Sequence, residues 1–216
     1  MTTKPFIPHS PSRLLRLGAC LSALAAAPAQ AHHAMGGATP ESFSQGLLSG
    51  LAHPVIGLDH FAFLLVLALL AYTFRSGTRW LLPIPFIAAA LGGTALHLSQ
   101  ASLPLAETMI ALSVLLGGVA VVLRRRPEAL VLGSAFAAAG LFHGYAYGES
   151  IVGAEATPLL AYLIGFSLIQ YAVVVGGIRL LDLAARRSEA LQGAAMRIGG
   201  GLASLAGGLF LAANLA

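Results

Sequence analysis

His53-Pro54-Val55-Ile56-Gly57-Leu58-Asp59-His60 runs without interruption into the apolar stretch 61–72. Two histidines and an aspartate stand around a proline and a glycine at the mouth of a membrane span. An ionisable residue in or near hydrocarbon is costly by several kcal/mol unless it is partnered, so such residues mark a pathway or a site. The rest of the chain has to supply the partners.

Composition fixes the broad class. Of 216 residues 57% are hydrophobic and only 9% are charged, against about 25% in soluble domains. The mean hydropathy is +0.84, so the chain is expected to be an all-α membrane protein in contact with the lipid bilayer. Its net charge of +4 invites a nucleic-acid reading. The basic residues, however, sit in short clusters between apolar runs, the pattern that orients membrane helices, with no aromatic-basic platform among them. Nucleic acid is excluded as a partner on that ground. Cys20 is the only cysteine, which removes disulfide frameworks and thiolate metal sites.

Residues 1–31 read as a cleaved signal peptide: Lys4, Arg13 and Arg16, then an apolar run, then Ala29-Gln30-Ala31. Leu17-Gly18-Ala19-Cys20 superficially resembles a lipoprotein box, but the apolar stretch before it is short and interrupted by Arg16. Cleavage would leave His32 and His33 close to a free amine, a candidate ligand set for capturing Ni(II) or Cu(II). A polar tail that merely carries two histidines is the plain alternative. Residues 32–52 form the next expected unit, a His-bearing exported segment and an amphipathic helix opened by Thr39-Pro40-Glu41. Residues 53–216 form the expected six-helix transmembrane domain. A helix unbroken from 40 to 74 would be ~52 Å long against ~30 Å of hydrocarbon, so a break is expected at Pro54 and Gly57.

About six spans are predicted, at 53–74, 80–101, 104–123, 128–148, 157–179 and 194–215. Arg75 and Arg79, then Arg124 to Arg126, then Arg179, Arg186, Arg187 and Arg197 follow the odd spans. The positive-inside rule makes those connections cytoplasmic and puts the mature N-terminus in the periplasm, in agreement with an exported leader. Tyr72, Phe74 and Trp80 read as a cytoplasmic aromatic belt.

This topology gathers the polar residues into the outer half of the membrane. His53, Asp59 and His60 lie on the first span, His97 on the second, Glu107 on the third and His143 on the fourth. Imidazole and carboxylate suit divalent transition metals, and these six are the candidate metal ligands. Glu149 and Gln100 are candidate supporting groups around them. His53 and His60 are seven residues apart, too distant to share an ion along a straight helix; either the break bends them together or they are successive stations on a path. Gly140, Gly144 and Gly148 make a ridge of small residues beside His143, expected to let helices approach. Ser167, Gln170 and Tyr171 on the fifth span either line the site further or make interhelical hydrogen bonds, and the second is expected.

His53-Pro54-x-x-Gly57-x-Asp59-His60, Glu107 before Ile110-Ala111-Leu112-Ser113-Val114, and Phe142-His143-Gly144-Tyr145-Ala146-Tyr147-Gly148 resemble the HupE/UreJ family of hydrogenase and urease accessory membrane proteins. The resemblance covers essentially the whole mature chain. It implies an inner-membrane nickel permease with His53, Asp59 and His60 binding metal, His143 a further functional position, and hydrogenase or urease maturation proteins as partners. Many members of that family carry histidines where this chain has Tyr145 and Tyr147, so no ligand is placed on those two. No catalytic residue, organic cofactor or phosphate-binding loop is read from the chain. Two other readings remain open: an intramembrane metal-dependent hydrolase, and an accessory protein that binds nickel without transporting it.

Overall fold

The computed structural model describes residues 38–215. The leader over 1–31, with His32 and His33, lies outside the described residues. Within them every regular element is a helix: α1 (Phe43–Ile56), α2 (Leu58–Tyr72), α3 (Ser76–Leu81), α4 (Pro83–Leu98), α5 (Ala106–Val122), α6 (Ala129–Glu149), α7 (Ala156–Arg187) and α8 (Glu189–Leu215).

Four segments are long and apolar enough to cross a membrane by themselves: Gly77–Leu98, Ala129–Glu149, Ala156–Arg187 and Glu189–Leu215. The pair α1 and α2 makes a fifth, bent by 74°. The remaining expected span, α5, has 17 residues. At 1.5 Å per residue that is about 26 Å, short of the ~30 Å hydrocarbon thickness. The chain is therefore a multi-pass membrane protein with four to five candidate spans, fewer than the six expected.

The break falls at Gly57, as the sequence led us to expect. Pro54 occupies the last turn of α1, where its missing N–H weakens the helical ladder. Gly57 then turns extended, with φ −71° and ψ 100°. His53 thus closes α1 instead of opening a span. The N-terminal cap differs from the expected Thr39: Ser42 Oγ accepts from the Gln45 N–H at 3.3 Å, while the Thr39 hydroxyl donates to the Val152 carbonyl. The third Arg-bearing connection is nearly absent as a loop, because α7 stays helical to Arg187 and α8 begins at Glu189.

α2 is the axis of the bundle. Ten of its 15 residues are buried, and it packs against α5, α7 and α8. In α8, by contrast, only Gly200, Ala203 and Gly207 are buried. A helix hydrophobic all round belongs in a core, and 58–72 is such a helix. Around it stand three tight helix pairs: α4 with α6, α5 with α8, and α1 with α7. Each pair is closed by glycine. A Cβ at Gly140 or Gly144 would strike the backbone of Phe86 or Ala90, one at Gly207 the Leu115 backbone, and one at Gly46 or Gly50 the backbone of Pro158 or Tyr162. Lipid tails are as apolar as leucine, so packing at small residues is what holds such pairs together.

At the Arg-bearing end, Arg79 binds both carboxylate oxygens of Asp182 at 3.0 and 3.1 Å, tying α3 to α7. Trp80 lies under the Arg79 and Arg179 guanidinium groups, 4.7 and 4.9 Å from its ring. The Tyr171 hydroxyl donates to the Trp80 carbonyl, one of the interhelical bonds expected on α7.

Candidate metal centre

The 74° bend brings His53 and His60 together. Along a straight helix their seven-residue spacing is about 10 Å, yet their ring centroids are 5.6 Å apart. Gly57 permits this by occupying almost no space: a Cβ there would lie 2.7 Å from His60 Cδ2. His143 of α6 joins from the other side, its Nδ1 2.9 Å from His60 Nδ1. All three are enclosed, at 2%, 1% and 0% exposure. Phe63 and Phe86 wall the His143 ring at 4.7 and 5.5 Å. Asp59 opens the first turn of α2, where helix-end amides favour a negative charge. Its Oδ1 accepts from the His60 N–H at 2.8 Å.

The hydrogen-bond network assigns a tautomer to His143 and His60. Ser113 Oγ donates to the Ile110 carbonyl at 2.7 Å, so toward His143 Nε2, 3.1 Å away, it can only accept. His143 therefore carries its proton on Nε2 and accepts at Nδ1 from the Nδ1–H of His60. The lone pair of His60 is left on Nε2. His53 has two hydroxyl neighbours at one nitrogen: Tyr162, whose proton goes to the Tyr147 carbonyl at 2.8 Å, lies 3.1 Å from His53 Nδ1, and Ser150 Oγ lies 2.9 Å from it. His60 thus carries its lone pair on the ring nitrogen that metals take, with the opposite nitrogen held by His143.

The other sequence candidates form a separate group. His97, Glu107 and Glu149 line a cavity of about 460 Å³ with Tyr145 and Asn214, at the helix ends opposite the arginines. His97 Nδ1 is buried without a hydrogen-bond partner, and its ring packs at a tilt against Tyr145, centroids 4.6 Å apart. Residues 143 and 147 of α6 face the core histidines, whereas 145 and 149 face this cavity, as alternating i, i+4 pairs of one helix must. Gln100 is exposed in the turn after α4, at φ +63°, and does not line the cavity. Among the described residues, no group of three or more His, Cys, Asp or Glu side chains is arranged to hold a metal ion.

Several neighbours of the histidines were not singled out from the sequence. Tyr147 packs against both His53, edge-on, and His60, with ring centroids 5.0 and 4.6 Å away. It and Ser113 lie inside the quoted motifs, where their position beside histidines was a usable signal. Ser150 and Tyr162 had no such signal, since only folding sets them against His53.

Fold and site together define a multi-pass helical membrane protein with a histidine cluster enclosed in its core. The HupE / UreJ protein family matches residues 20–210. Protein HupE of Rhizobium leguminosarum bv. viciae is 33% identical over 169 residues, which is 78% of this chain and 85% of that protein. No solved structure matches. The chain belongs to the HupE/UreJ family of hydrogenase and urease accessory membrane proteins.

Proposed function

We propose that this protein is an inner-membrane permease that takes up Ni(II) from the periplasm for the maturation of hydrogenase or urease. The observation that carries the proposal is the enclosed pair His53 and His60, with rings 5.6 Å apart. Imidazole nitrogen is a preferred donor for Ni(II), and Asp59 supplies the compensating charge. His143 acts through His60 by fixing which nitrogen is basic. The cavity of His97, Glu107 and Glu149 is the outer capture point, fed by His32 and His33 of the exported N-terminus, and its two carboxylates raise the local cation concentration. Inward movement of a doubly charged ion gains ~4.6 kcal/mol per 100 mV, twice the single-charge value, so membrane potential suffices as driving force.

The test is accumulation of labelled nickel by nickel-starved cells carrying wild type, His60→Ala or His143→Ala. Both variants should fall to the background of cells lacking the protein. Equal accumulation in all three would overturn the permease reading. Reduced binding with unchanged uptake would favour an accessory protein that holds nickel without moving it.

A further inference from the structure

Below the histidines, three buried polar atoms in one place have no hydrogen-bond partner: the Tyr147 hydroxyl and both Nε2 and Oε1 of Gln170. Both side chains are completely enclosed, at 0% exposure. The two side chains are neighbours, near enough for the amide to act on the phenol, but they do not meet in the distance and angle of a formed hydrogen bond. Gln170 thus reaches across to α6, as expected, without a formed interhelical hydrogen bond. Each unsatisfied buried group is destabilising, and a leucine would fill the same space without that penalty. Retaining three such atoms together calls for an occupant that satisfies them.

Their position indicates which occupant. Tyr162, Phe166, Gln170, Val174, Ile178 and Leu181 form the buried stripe of α7, in which Gln170 is the only amide. Tyr162 holds His53, and Gln170 lies eight residues further toward the Arg-bearing end, about 12 Å at helical rise. Tyr147 bridges the interval, with one side of its ring against His60 and Phe166 at 5.4 Å. Beyond Gln170 the core is wholly apolar: Val174 and Ile178 of α7 join Leu64 and Leu67 of α2 in one cluster.

We infer that Gln170 Oε1 and the Tyr147 hydroxyl form an oxygen-lined inner station for a hydrated divalent cation, between the histidine pair and an apolar seal. Amide and phenol oxygens accept hydrogen bonds from the ion's water shell, and the amide Nε2–H donates to a bridging water. An apolar constriction beneath such a station closes the path by excluding water. The inference rests on the permease reading and extends its path toward the cytoplasm.

Two experiments on the full-length protein test it. In the first, Gln170→Leu should lower nickel uptake at saturating ion by roughly tenfold or more, with little change in the half-saturating concentration, because binding at the histidines is untouched. The melting temperature of the purified variant should hold or rise. Unchanged uptake overturns the station, and a fall in both uptake and melting temperature assigns Gln170 a structural role instead. In the second, Gln170→Cys on a Cys20→Ser background is treated with a small cationic thiosulfonate reagent. Labelling that Ni(II) slows by roughly fivefold or more supports the station, given unlabelled Leu168→Cys on the exposed face of α7. No labelling, or labelling indifferent to Ni(II), overturns it. Protected labelling in a protein whose wild type takes up no nickel would sink the permease reading and leave the station standing.

Discussion

Gly57 contributes space and not conformational freedom, since φ −71° is open to any residue. A Cβ there would press on the His60 ring at 2.7 Å, with the His53 carbonyl and Asp59 Oδ1 at 3.3 and 3.4 Å. Gly57→Ala is therefore expected to displace His60 and lower nickel uptake by about tenfold or more, on the scale of losing an orienting contact. Its melting temperature should stay near that of wild type; uptake at the wild-type level would disprove this role for Gly57. Ser113 makes a subtler case. Removing its oxygen in Ser113→Ala frees His143 to change tautomer, and with it the nitrogen that His60 presents. Supporting partners of metal-binding histidines are worth about 10–100-fold in affinity. Nickel titration of the purified protein should show a weakening in that range, and an unaltered dissociation constant would break the proposed tautomer chain.

At the scale of elements, the controlling feature is how closely paired helices approach. Gly92 and Gly93 are neighbours on α4, yet a Cβ at Gly92 meets nothing within 4 Å, whereas one at Gly93 meets the Leu141 and Tyr145 backbone. Gly93→Ala should destabilise the protein by about 1–3 kcal/mol through overpacking. Gly92→Ala should be neutral or slightly stabilising, as alanine is the better helix former. Thermal unfolding in detergent compares them directly, and equal melting temperatures would refute the packing account. In the sequence Gly92 and Gly93 are simply two adjacent small residues. Which member of such a doublet faces a partner depends on helix rotation, which near-uniform apolar composition does not specify. The same ambiguity made Gln170 look like an ordinary interhelical donor, although Tyr171 beside it makes such a bond.

For the whole molecule, the charges predict an orientation. Arginines cluster at one end, while the His97, Glu107 and Glu149 cavity lies at the helix ends opposite. With the arginines cytoplasmic, alkaline phosphatase fused after Ala101 or at the C-terminus should be active, and fused after Arg125 inactive. The reverse pattern would turn the proposed capture cavity to the cytoplasm and remove uptake from the periplasm as a function.

The sequence by itself determined the class of this protein, the approximate extent of most helices and the motif that bends. Transfer of apolar residues from water to lipid sums locally along the chain, so a run such as 58–72 declares itself without knowledge of its neighbours. Pro54 and Gly57 act on the helical ladder within one turn, and that too is local. Only the tertiary structure decided that the candidate ligands divide into two groups, with His143 on the core histidines and His97 on the cavity of Glu107. His60 and His143 are 83 residues apart in the chain, and Tyr162 and His53 are 109 apart. No periodicity encodes such distances. They follow from which glycine faces pair and from a 74° bend whose angle the surrounding helices set.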